Sequence, residues 1–288
     1  MAVKYNDLYL DVRALLRRGG VEESTQAARE LVCTAAGKTK NELLRDGMLY
    51  VTPEVEKETY RLCDRLLAGE PVAYLVGEWE FYGLPLDISP AVLIPRPDTE
   101  VLCEQVIREL QEAGECRVLD LCSGSGCVGL AIAKNIPDAR VILGEIDEEA
   151  LKICRQNTRR NELTGRVSAM RLNALEKPSR QLGEFGCIVC NPPYIPTADI
   201  EGLDSSVRDH EPHLALDGGE DGLDFYRTIS DLWRDALAPN GLLAFEVGIG
   251  QADEVLRIMR GNGFGDIQII KDLHMIPRVV YGRLCKEV

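Results

Sequence analysis

The chain has 288 residues, a formal net charge of -14 at pH 7, and hydrophobic and charged contents of 45% and 28%. Its length suits two domains, and its composition is typical of a globular protein. Its net negative charge argues against a protein whose main function is to bind the phosphate backbone of nucleic acids. No apolar run reaches membrane-spanning length and the ten cysteines lack framework spacing, so we expect a cytoplasmic protein with reduced thiols and no membrane contact.

Residues 1–75 predict a small helical domain. Leu8, Val12 and Leu15 recur at helical spacing before a pair of glycines, and Thr39 with Glu42 fits a capping box at the start of a later helix. Two interpretations remain open for this bundle. It is either an appendage that only packs on its neighbour or a docking module for a macromolecular substrate.

Residues 76–97 change in character. Aromatic residues lie between Gly77 and Gly83, which predicts a β-hairpin that links two domains. The following segment, Arg96-Pro97-Asp98-Thr99-Glu100, predicts a loop that enters a helix, with Asp98 or Thr99 as its N-cap.

Residues 98–288 alternate between strand and helix patterns. The predicted strands are 116–121, 140–145, 166–172, 188–190, 241–247, 267–270 and 279–284. Such alternation indicates an α/β fold in which a doubly wound sheet carries helices on both faces.

A glycine-rich turn follows the first of these strands. Gly124, Gly126 and Gly129 satisfy the spacing G-x-G-x-x-G, and Glu145 ends the next strand about 20 residues later. Glycines allow a ligand to approach the backbone, and a carboxylate at that distance suits a ribose diol. NAD and S-adenosylmethionine both carry such a ribose, so this pair of features does not separate them.

Asn191-Pro192-Pro193-Tyr194 follows the apolar fourth strand and predicts a stiff turn, because proline restricts φ and donates no hydrogen bond. An amide or exocyclic amino nitrogen is a poor nucleophile. The Asn191 side-chain oxygen and the Pro192 carbonyl oxygen could accept both of its hydrogens, and Tyr194 could stack on the planar group. The structural alternative is a rigid loop that only ends the strand. Since hydride transfer has no need of such acceptors, the turn favours S-adenosylmethionine, with the methyl acceptor at strand four.

Other polar groups do not suggest chemistry. His210 and His213 flank a proline, so they are unlike two metal ligands on one helical face, and we predict no metal site. Ser123 and Ser125 have no evident histidine and carboxylate partners for nucleophilic catalysis.

Over nearly its whole length the chain resembles the PrmC/HemK family of protein-(glutamine-N5) methyltransferases. The resemblance rests on the helical N-terminal region, on Asn-Pro-Pro-Tyr, and on three further blocks. These blocks are residues 93–100 (Leu-Ile-Pro-Arg-Pro-Asp-Thr-Glu), residues 211–223, and Glu246-Val247-Gly248 with Gln251.

The resemblance implies a Rossmann-like, S-adenosylmethionine-dependent methyltransferase sheet with a small N-terminal helical domain joined by a β-hairpin. It implies methyl transfer from S-adenosylmethionine to the side-chain amide nitrogen of the glutamine in the Gly-Gly-Gln motif of peptide chain release factors. Residues 1–75 would bind the release factor, residues 76–97 would be the linker, and residues 98–288 would form the methyltransferase domain. A monomer without direct nucleic-acid contact is expected.

The resemblance also implies roles for individual residues. Asn191, Pro192, Pro193 and Tyr194 would bind the glutamine, with Asn191, Pro192 and Tyr194 as the catalytic residues. The implied cofactor-binding residues are Cys122, Ser123, Gly124, Ser125 and Gly126 at the amino-acid end, Glu145 at the ribose, Asn173 and Ala174 near the adenine, and Arg96, Thr99 and Asn191 beside them.

Three positions depart from the family pattern. Glu145 stands where an aspartate is usual, and Asn173-Ala174 where an acidic residue and a large aromatic one are usual. Residues 274–277 are unlike the usual glycine-containing loop. Two alternatives remain: a nucleic-acid amino-methyltransferase that uses the same turn, and a non-catalytic binding module that has kept the fold.

Overall fold

The structure is a computed structural model that describes residues 3–111 and 116–285. Its contacts divide the chain into two compact units, Met1–Glu78 with Asp204–His210, and Trp79–Leu203 with Glu211–Val288. The helices are α1 (Tyr5–Arg18), α2 (Ser24–Ala36), α3 (Lys40–Arg45), α4 (Pro53–Leu67), α5 (Val72–Val76), α6 (Thr99–Leu110), α7 (Cys127–Asn135), α8 (Glu148–Arg160), α9 (Ser205–Arg208), α10 (Asp224–Leu232) and α11 (Ala252–Gly261).

The strands form two sheets. They are β1 (Glu78–Phe81), β2 (Leu84–Asp87), β3 (Cys116–Leu121), β4 (Ala139–Glu145), β5 (Val167–Arg171), β6 (Phe185–Cys190), β7 (Leu237–Glu246), β8 (Phe264–Lys271) and β9 (Pro277–Leu284). β1 and β2 pair with each other, and the other seven form one sheet in the order β5-β4-β3-β6-β7-β9-β8.

Helices α1 to α5 of the first unit surround one apolar core. Leu8, Val12 and Leu16 recur every four residues on α1 and are fully buried, which is the spacing of a single helical face. At the start of α3 the Glu42 backbone N–H donates to the Thr39 hydroxyl, and the Thr39 N–H donates to the Glu42 carboxylate at 2.8 Å. The predicted capping box is therefore confirmed.

The predicted β-hairpin is formed by β1 and β2, and most of it belongs to the second unit. Tyr82 and Gly83 connect the strands with φ angles of 51° and 72°, so both residues of this tight turn are left-handed. β2 is attached to α8, because the Asp87 N–H donates to the Asn157 side-chain oxygen at 2.6 Å and the Asn157 side-chain nitrogen donates to the Asp87 carbonyl at 3.1 Å.

The seven-stranded sheet confirms the predicted doubly wound architecture. β3, β4, β5, β6 and β7 run parallel, whereas β9 is antiparallel and lies between β7 and β8. The chain moves from β3 to β4 and β5 on one side, and then returns to β6 on the other side of β3. This reversal opens a crevice at the carboxyl ends of β3 and β6, where open α/β sheets bind ligands.

Large aromatic side chains fill the core beneath β6 and β7. Tyr226 on α10 and Phe245 on β7 are fully buried, and their rings meet edge to face with centroids 5.2 Å apart. The Tyr226 hydroxyl donates to the Glu246 carbonyl oxygen at 3.0 Å. This contact holds α10 against the last residue of β7, next to the crevice.

Within residues 3–111 and 116–285, no helix is both long enough and apolar enough to cross a membrane. The cysteines that the structure describes are free thiols, and most of them are buried.

Candidate active site

A cavity of about 460 Å³ lies at the carboxyl edge of the sheet, within the second unit. Its volume is in the range of small-molecule binding sites. The lining comes from residues 91–99 before and at the start of α6, from residues 120–128 and 145–150, from residues 172–175, from Asn191 and Pro193, and from parts of residues 212–225. The ends of β3, β4 and β6 therefore meet at one cavity, as the strand order requires.

The loop after β3 borders this cavity and has left-handed backbone at three residues. Cys122, Gly124 and Gly126 have φ angles of 56°, 54° and 81°. A Cβ added to Gly124 would meet no heavy atom within 4 Å, so a ligand can approach the backbone here. Cys122 carries a side chain in the same conformation, which costs roughly 1–2 kcal/mol.

Two side chains of α8 support this loop from below. The Cys154 thiol donates to the Gly124 carbonyl at 3.1 Å, and the Asn157 side-chain nitrogen donates to the Ser125 carbonyl at 2.9 Å. Asn157 is fully buried and also holds β2. Local sequence patterns do not reveal Asn157, because an asparagine inside a helix gives no sign of its distant partners.

Glu145 bridges the ends of β3 and β4. Its carboxylate accepts the Gly124 N–H at 2.9 Å and the N–H groups of Ile146 and Asp147 at 2.7 and 3.0 Å. The side chain lines the cavity and is only 8% exposed. A carboxylate has about four lone-pair sites, so Glu145 retains one acceptor position for a ligand hydroxyl.

Asp120, the last but one residue of β3, is a second buried acid at the cavity. Its carboxylate accepts the Gly129 N–H at 2.8 Å. Burial raises the pKa of the Asp120 carboxyl to about 7, although the hydrogen bond from Gly129 acts in the opposite direction. A Cβ on Gly129 would come within 2.3 Å of the Leu143 side chain, so glycine allows α7 to pack closely on the sheet.

The turn after β6 brings Asn191 and Pro193 to the cavity wall. The Asn191 side-chain nitrogen donates to the Thr99 hydroxyl at 3.4 Å, which joins the end of β6 to the start of α6. Since this nitrogen is engaged, the side-chain oxygen is the atom of the carboxamide that remains free to accept.

Tyr194 closes the turn and is held on three sides. Its carbonyl oxygen accepts from the Gln251 side chain at 2.8 Å, and a Cβ on Gly248 would stand 3.0 Å from its ring. A Cβ on Gly218 would stand 2.7 Å from its Cα, so glycine is needed for this close approach. Burial raises the pKa of the Tyr194 hydroxyl well above its usual value, so the phenol is neutral at physiological pH.

Asn173 and Ala174 form the cavity wall beyond β5. The Asn173 side-chain oxygen accepts the Leu175 N–H at 3.0 Å, and its nitrogen donates to Glu176 at 3.0 Å. Ala174 is placed by the buried Trp233, whose indole N–H donates to the Ala174 carbonyl at 2.9 Å. The aromatic side chain at this edge therefore supports the wall from behind.

Arg96 lines the cavity and forms an ion pair with Glu211, whose side chain is 1% exposed. The second Glu211 carboxylate oxygen accepts the Ile94 N–H at 3.4 Å. One oxygen of the buried Glu211 carboxylate is thus engaged by the Ile94 backbone and the other by the Arg96 guanidinium.

The predicted N-cap of α6 is confirmed in its position, Asp98, although this side chain does not cap the helix. Asp98 makes no capping hydrogen bond, and its carboxylate pairs with Arg278 at 2.7 Å. Thr99 is the first residue of the helix, and its hydroxyl accepts from Asn191. Arg278 on β9 therefore pairs with the carboxylate that sequence patterns assign to the helix cap.

The cavity brings most of the predicted site residues together. Those that line it are Arg96, Thr99, Cys122, Ser123, Gly124, Ser125, Glu145, Asn173, Ala174, Asn191 and Pro193. Gly126, Pro192 and Tyr194 border these residues in the chain but do not contribute to the lining. Among the described residues, no cluster of three or more histidine, cysteine, aspartate or glutamate side chains could hold a metal ion.

Comparison with known protein families gives two matches. Residues 7–77 match the PrmC N-terminal domain, and residues 99–206 match the methyltransferase small domain. A relative from Geobacter sulfurreducens, named release factor glutamine methyltransferase, is 40% identical over 272 residues, which are 94% of this chain and 94% of that relative. A relative of the same name from Clostridium acetobutylicum is 41% identical over 210 residues, 73% of this chain and 74% of that relative.

Solved structures share the fold at low sequence identity. A methyltransferase from Pyrococcus furiosus is 18% identical with a TM-score of 0.51, covering 77% of this chain and 98% of its own. The catalytic domain of hMettl16, in complex with the MAT2A 3′UTR hairpin 6, is 15% identical with a TM-score of 0.58, covering 72% and 78%. The predicted fold class is therefore confirmed.

Proposed function

This chain belongs to the family of release factor glutamine methyltransferases, and we propose the reaction that it catalyses. The chain transfers a methyl group from S-adenosylmethionine to the glutamine side-chain amide nitrogen in the Gly-Gly-Gln motif of peptide chain release factors. One observation carries this proposal from the structure. The open glycine loop around Gly124 and the Asn191 carboxamide, whose oxygen is free to accept, border a single cavity. Under this proposal the donor site and the acceptor site would be adjacent.

S-adenosylmethionine is the cofactor, and the residues around the cavity fit it. The space above Gly124 admits a ligand against the backbone, as the amino-acid end of the cofactor needs. Glu145 retains an acceptor position that suits a ribose hydroxyl. Asn173 and Ala174 offer a half-buried amide and a flat apolar wall for the adenine.

Residues Asn191 and Pro192 would act on the acceptor amide. The Asn191 oxygen and the Pro192 carbonyl would accept its two hydrogens, which orients the nitrogen and stabilises the positive charge that develops on it until one of these hydrogens leaves as a proton. When bound, S-adenosylmethionine supplies an electrophilic methyl group. No nucleophilic side chain is required of the protein, which agrees with the absence of a serine or cysteine with a basic partner among the residues that line the cavity.

Tyr194 would shield and position the planar amide. Tyr194 borders the cavity lining without contributing to it, and burial raises the pKa of its hydroxyl, so it places no charge near the developing cation. Its contacts with Gln251 and Gly248 hold the ring in one place. Rigid placement of this kind lowers the entropic cost of reaching the transition state.

The roles of the chain segments follow the same proposal. Residues 1–75 would bind the release factor, residues 76–97 would link, and residues 98–288 would bind the cofactor and carry out the transfer. The match of residues 7–77 to the PrmC N-terminal domain supports this division. We further propose a cytoplasmic monomer that contacts neither nucleic acid nor membrane directly.

Transfer of isotope-labelled methyl groups tests the proposal. Purified release factor, its variant with Gln→Ala in the Gly-Gly-Gln motif, and samples of RNA and DNA are each incubated with the enzyme and labelled S-adenosylmethionine, and the modified residue is located by mass spectrometry. We expect label on the glutamine of the first protein and none on the second. Label on RNA or DNA instead, with the release factor unmodified, would overturn the assignment.

A further inference from the structure

The loop between β8 and β9 exposes two large apolar side chains. In this loop, residues 272–276 (the β8–β9 tip), Leu273 is 99% exposed and Met275 is 69% exposed. Ile249, three residues after the end of β7, is 74% exposed. None of the three lines the cavity, and the proposed mechanism uses none of them. Single exposed apolar residues are common on protein surfaces, whereas a group of them at one edge is typical of an interaction surface.

Hydrogen bonds of Asp272 hold the tip together. Its carboxylate accepts the N–H groups of His274 and Ile276 at 2.8 and 2.9 Å, and it also accepts the Nε–H of Arg278 at 2.9 Å. The Asp272 N–H donates to the Ile276 carbonyl at 2.9 Å, which closes the loop. The apolar side chains are therefore presented by an ordered loop, which loses less conformational entropy on binding than an unstructured one would.

The backbone of Met275 is left-handed, with a φ angle of 65°. A residue with a Cβ adopts this conformation at a cost in energy, and glycine is the residue that such a turn favours. Methionine therefore brings no advantage to the turn itself. We attribute its presence to a contact that its exposed side chain makes with a partner.

The tip lies at the same edge of the sheet as the acceptor turn (residues 191–194). β9 pairs with β7, and β7 pairs with β6, which the acceptor turn follows. The Val247 N–H donates to the Arg278 carbonyl at 2.8 Å, just before Gly248 packs against the turn. The Arg278 guanidinium also pairs with Asp98 at 2.7 Å, at the start of α6. The tip is thus joined both to the end of β7 and to the segment that lines the cavity.

The proposed cofactor site lies on the other side of β6. Cys122, Glu145 and Asn173 line the cavity after β3, β4 and β5, whereas β7, β9 and β8 extend the sheet in the opposite direction. A polypeptide that offers its glutamine to the acceptor turn can therefore lay its flanking residues over the ends of β7, β9 and β8. Neighbouring strands lie about 4.8 Å apart, so the tip is about 10–14 Å from the end of β6, the length of about three or four extended residues.

We propose that the β8–β9 tip, together with Ile249, docks the release-factor polypeptide beside its Gly-Gly-Gln motif, and that Leu273 and Met275 become buried against apolar side chains of that segment. This inference rests on the proposed function and adds a substrate-binding surface to it. Two glycines offer no side chain to recognise, so the residues beside the motif have to supply the contact area. An apolar contact a few residues away distinguishes the release-factor glutamine from exposed glutamines of other proteins.

Steady-state methyl transfer to purified release factor tests the proposal with Leu273→Ser/Met275→Ser. The KM for release factor should rise about tenfold or more with kcat unchanged, because a buried leucine or methionine side chain contributes at least this factor equally to the ground and transition states. Met275→Gly keeps the left-handed turn and should also raise KM, which assigns the effect to the side chain. Met170→Ser is the control, since it removes an exposed side chain from β5 at the opposite edge of the sheet. The Kd for S-adenosylmethionine, measured by calorimetry, should be that of the wild type in all three variants.

Photo-crosslinking gives a readout that does not depend on methyl transfer. The full chain with Met275→p-benzoylphenylalanine is irradiated with release factor, and the crosslinked residues are located by mass spectrometry. We expect crosslinks beside the Gly-Gly-Gln motif, and none there with Met170→p-benzoylphenylalanine. A wild-type KM in Leu273→Ser/Met275→Ser, or crosslinks only to a distant part of release factor or to a second copy of this chain, would overturn the docking surface. Absence of methyl transfer to release factor by the wild type would contradict the proposed function instead.

Discussion

The side-chain nitrogen of Gln251 lies 2.8 Å from the carbonyl oxygen of Tyr194. The same nitrogen donates to the Gly222 carbonyl at 3.2 Å, and the Gln251 side-chain oxygen accepts the Gly248 N–H at 3.0 Å. One glutamine thus ties the end of the acceptor turn to a glycine-rich loop and to the end of β7. The position of the turn depends on residues that never touch the acceptor.

Gly222→Ala should displace this turn. Its Cβ would stand 2.3 Å from the Tyr194 carbonyl oxygen, so the backbone of the turn must shift. We expect a loss of kcat of about a hundredfold, the size attributed to misplacement of reacting groups by about 1 Å. The control is Gly263→Ala, which has φ +87° against +73° but no heavy atom within 4 Å. Equal losses in both variants would show that backbone strain, and not the turn, is responsible.

Gly124→Val should block cofactor binding. The added side chain would project into space that is open in the structure and that borders the cavity, where we place the amino-acid end of S-adenosylmethionine. Calorimetric titration should show a Kd raised at least tenfold, about 1.4 kcal/mol. Gly83→Val is the control, since it shares a positive φ with no heavy atom within 4 Å but lies in the hairpin turn. Unchanged affinity in Gly124→Val would place the cofactor elsewhere.

Asn157→Ala should destabilise the second unit and weaken the cofactor loop. It removes bonds to the Asp87 N–H, the Asp87 carbonyl and the Ser125 carbonyl and leaves them without those partners. We expect a loss of about 3 kcal/mol in the free energy of unfolding, measured by urea denaturation. Asn135→Ala, which removes a single bond to the carbonyl of Ala131, should cost less than about 1 kcal/mol. Similar costs for the two variants would contradict the role assigned to Asn157.

Asp120→Asn should make stability less dependent on pH. The folded protein holds the Asp120 proton up to a pKa of about 7, whereas the unfolded chain releases it near 3.8, so wild-type stability falls as the pH rises between these values. The variant lacks this loss and should gain about 4 kcal/mol on the wild type between pH 3 and pH 8. Its amide oxygen can still accept the Gly129 N–H. Parallel stability curves for the two proteins would show that Asp120 does not titrate in this way.

Local patterns predicted the architecture well because each element carries its own signal. The apolar runs of β3 and β6 predict strands, and the glycines that follow β3 predict the open turn at the cavity, without knowledge of their neighbours. The order of the strands is different, since nothing in the sequence of β9 shows that it inserts antiparallel between β7 and β8.

Contacts between distant residues account for what the sequence could not reveal. Asp98 fits the N-cap by its local sequence, but its carboxylate forms an ion pair with Arg278 instead. The antiparallel strand β9 places Arg278 beside it. Glu246 is followed by valine and glycine in a motif that gives no hint of its burial. The strand register that sets it beside Asn191 is likewise not visible in the sequence.

Two constants measured for Asn191→Ala decide whether the main role of Asn191 is to hold the acceptor amide. These are the Kd for S-adenosylmethionine and the single-turnover rate of methyl transfer to release factor with the cofactor saturating. We expect an unchanged Kd and a rate reduced about a hundredfold or more, as when a group that stabilises transition-state charge is removed. A Kd weakened in proportion to the rate, or a rate equal to that of the wild type, would contradict this role of Asn191.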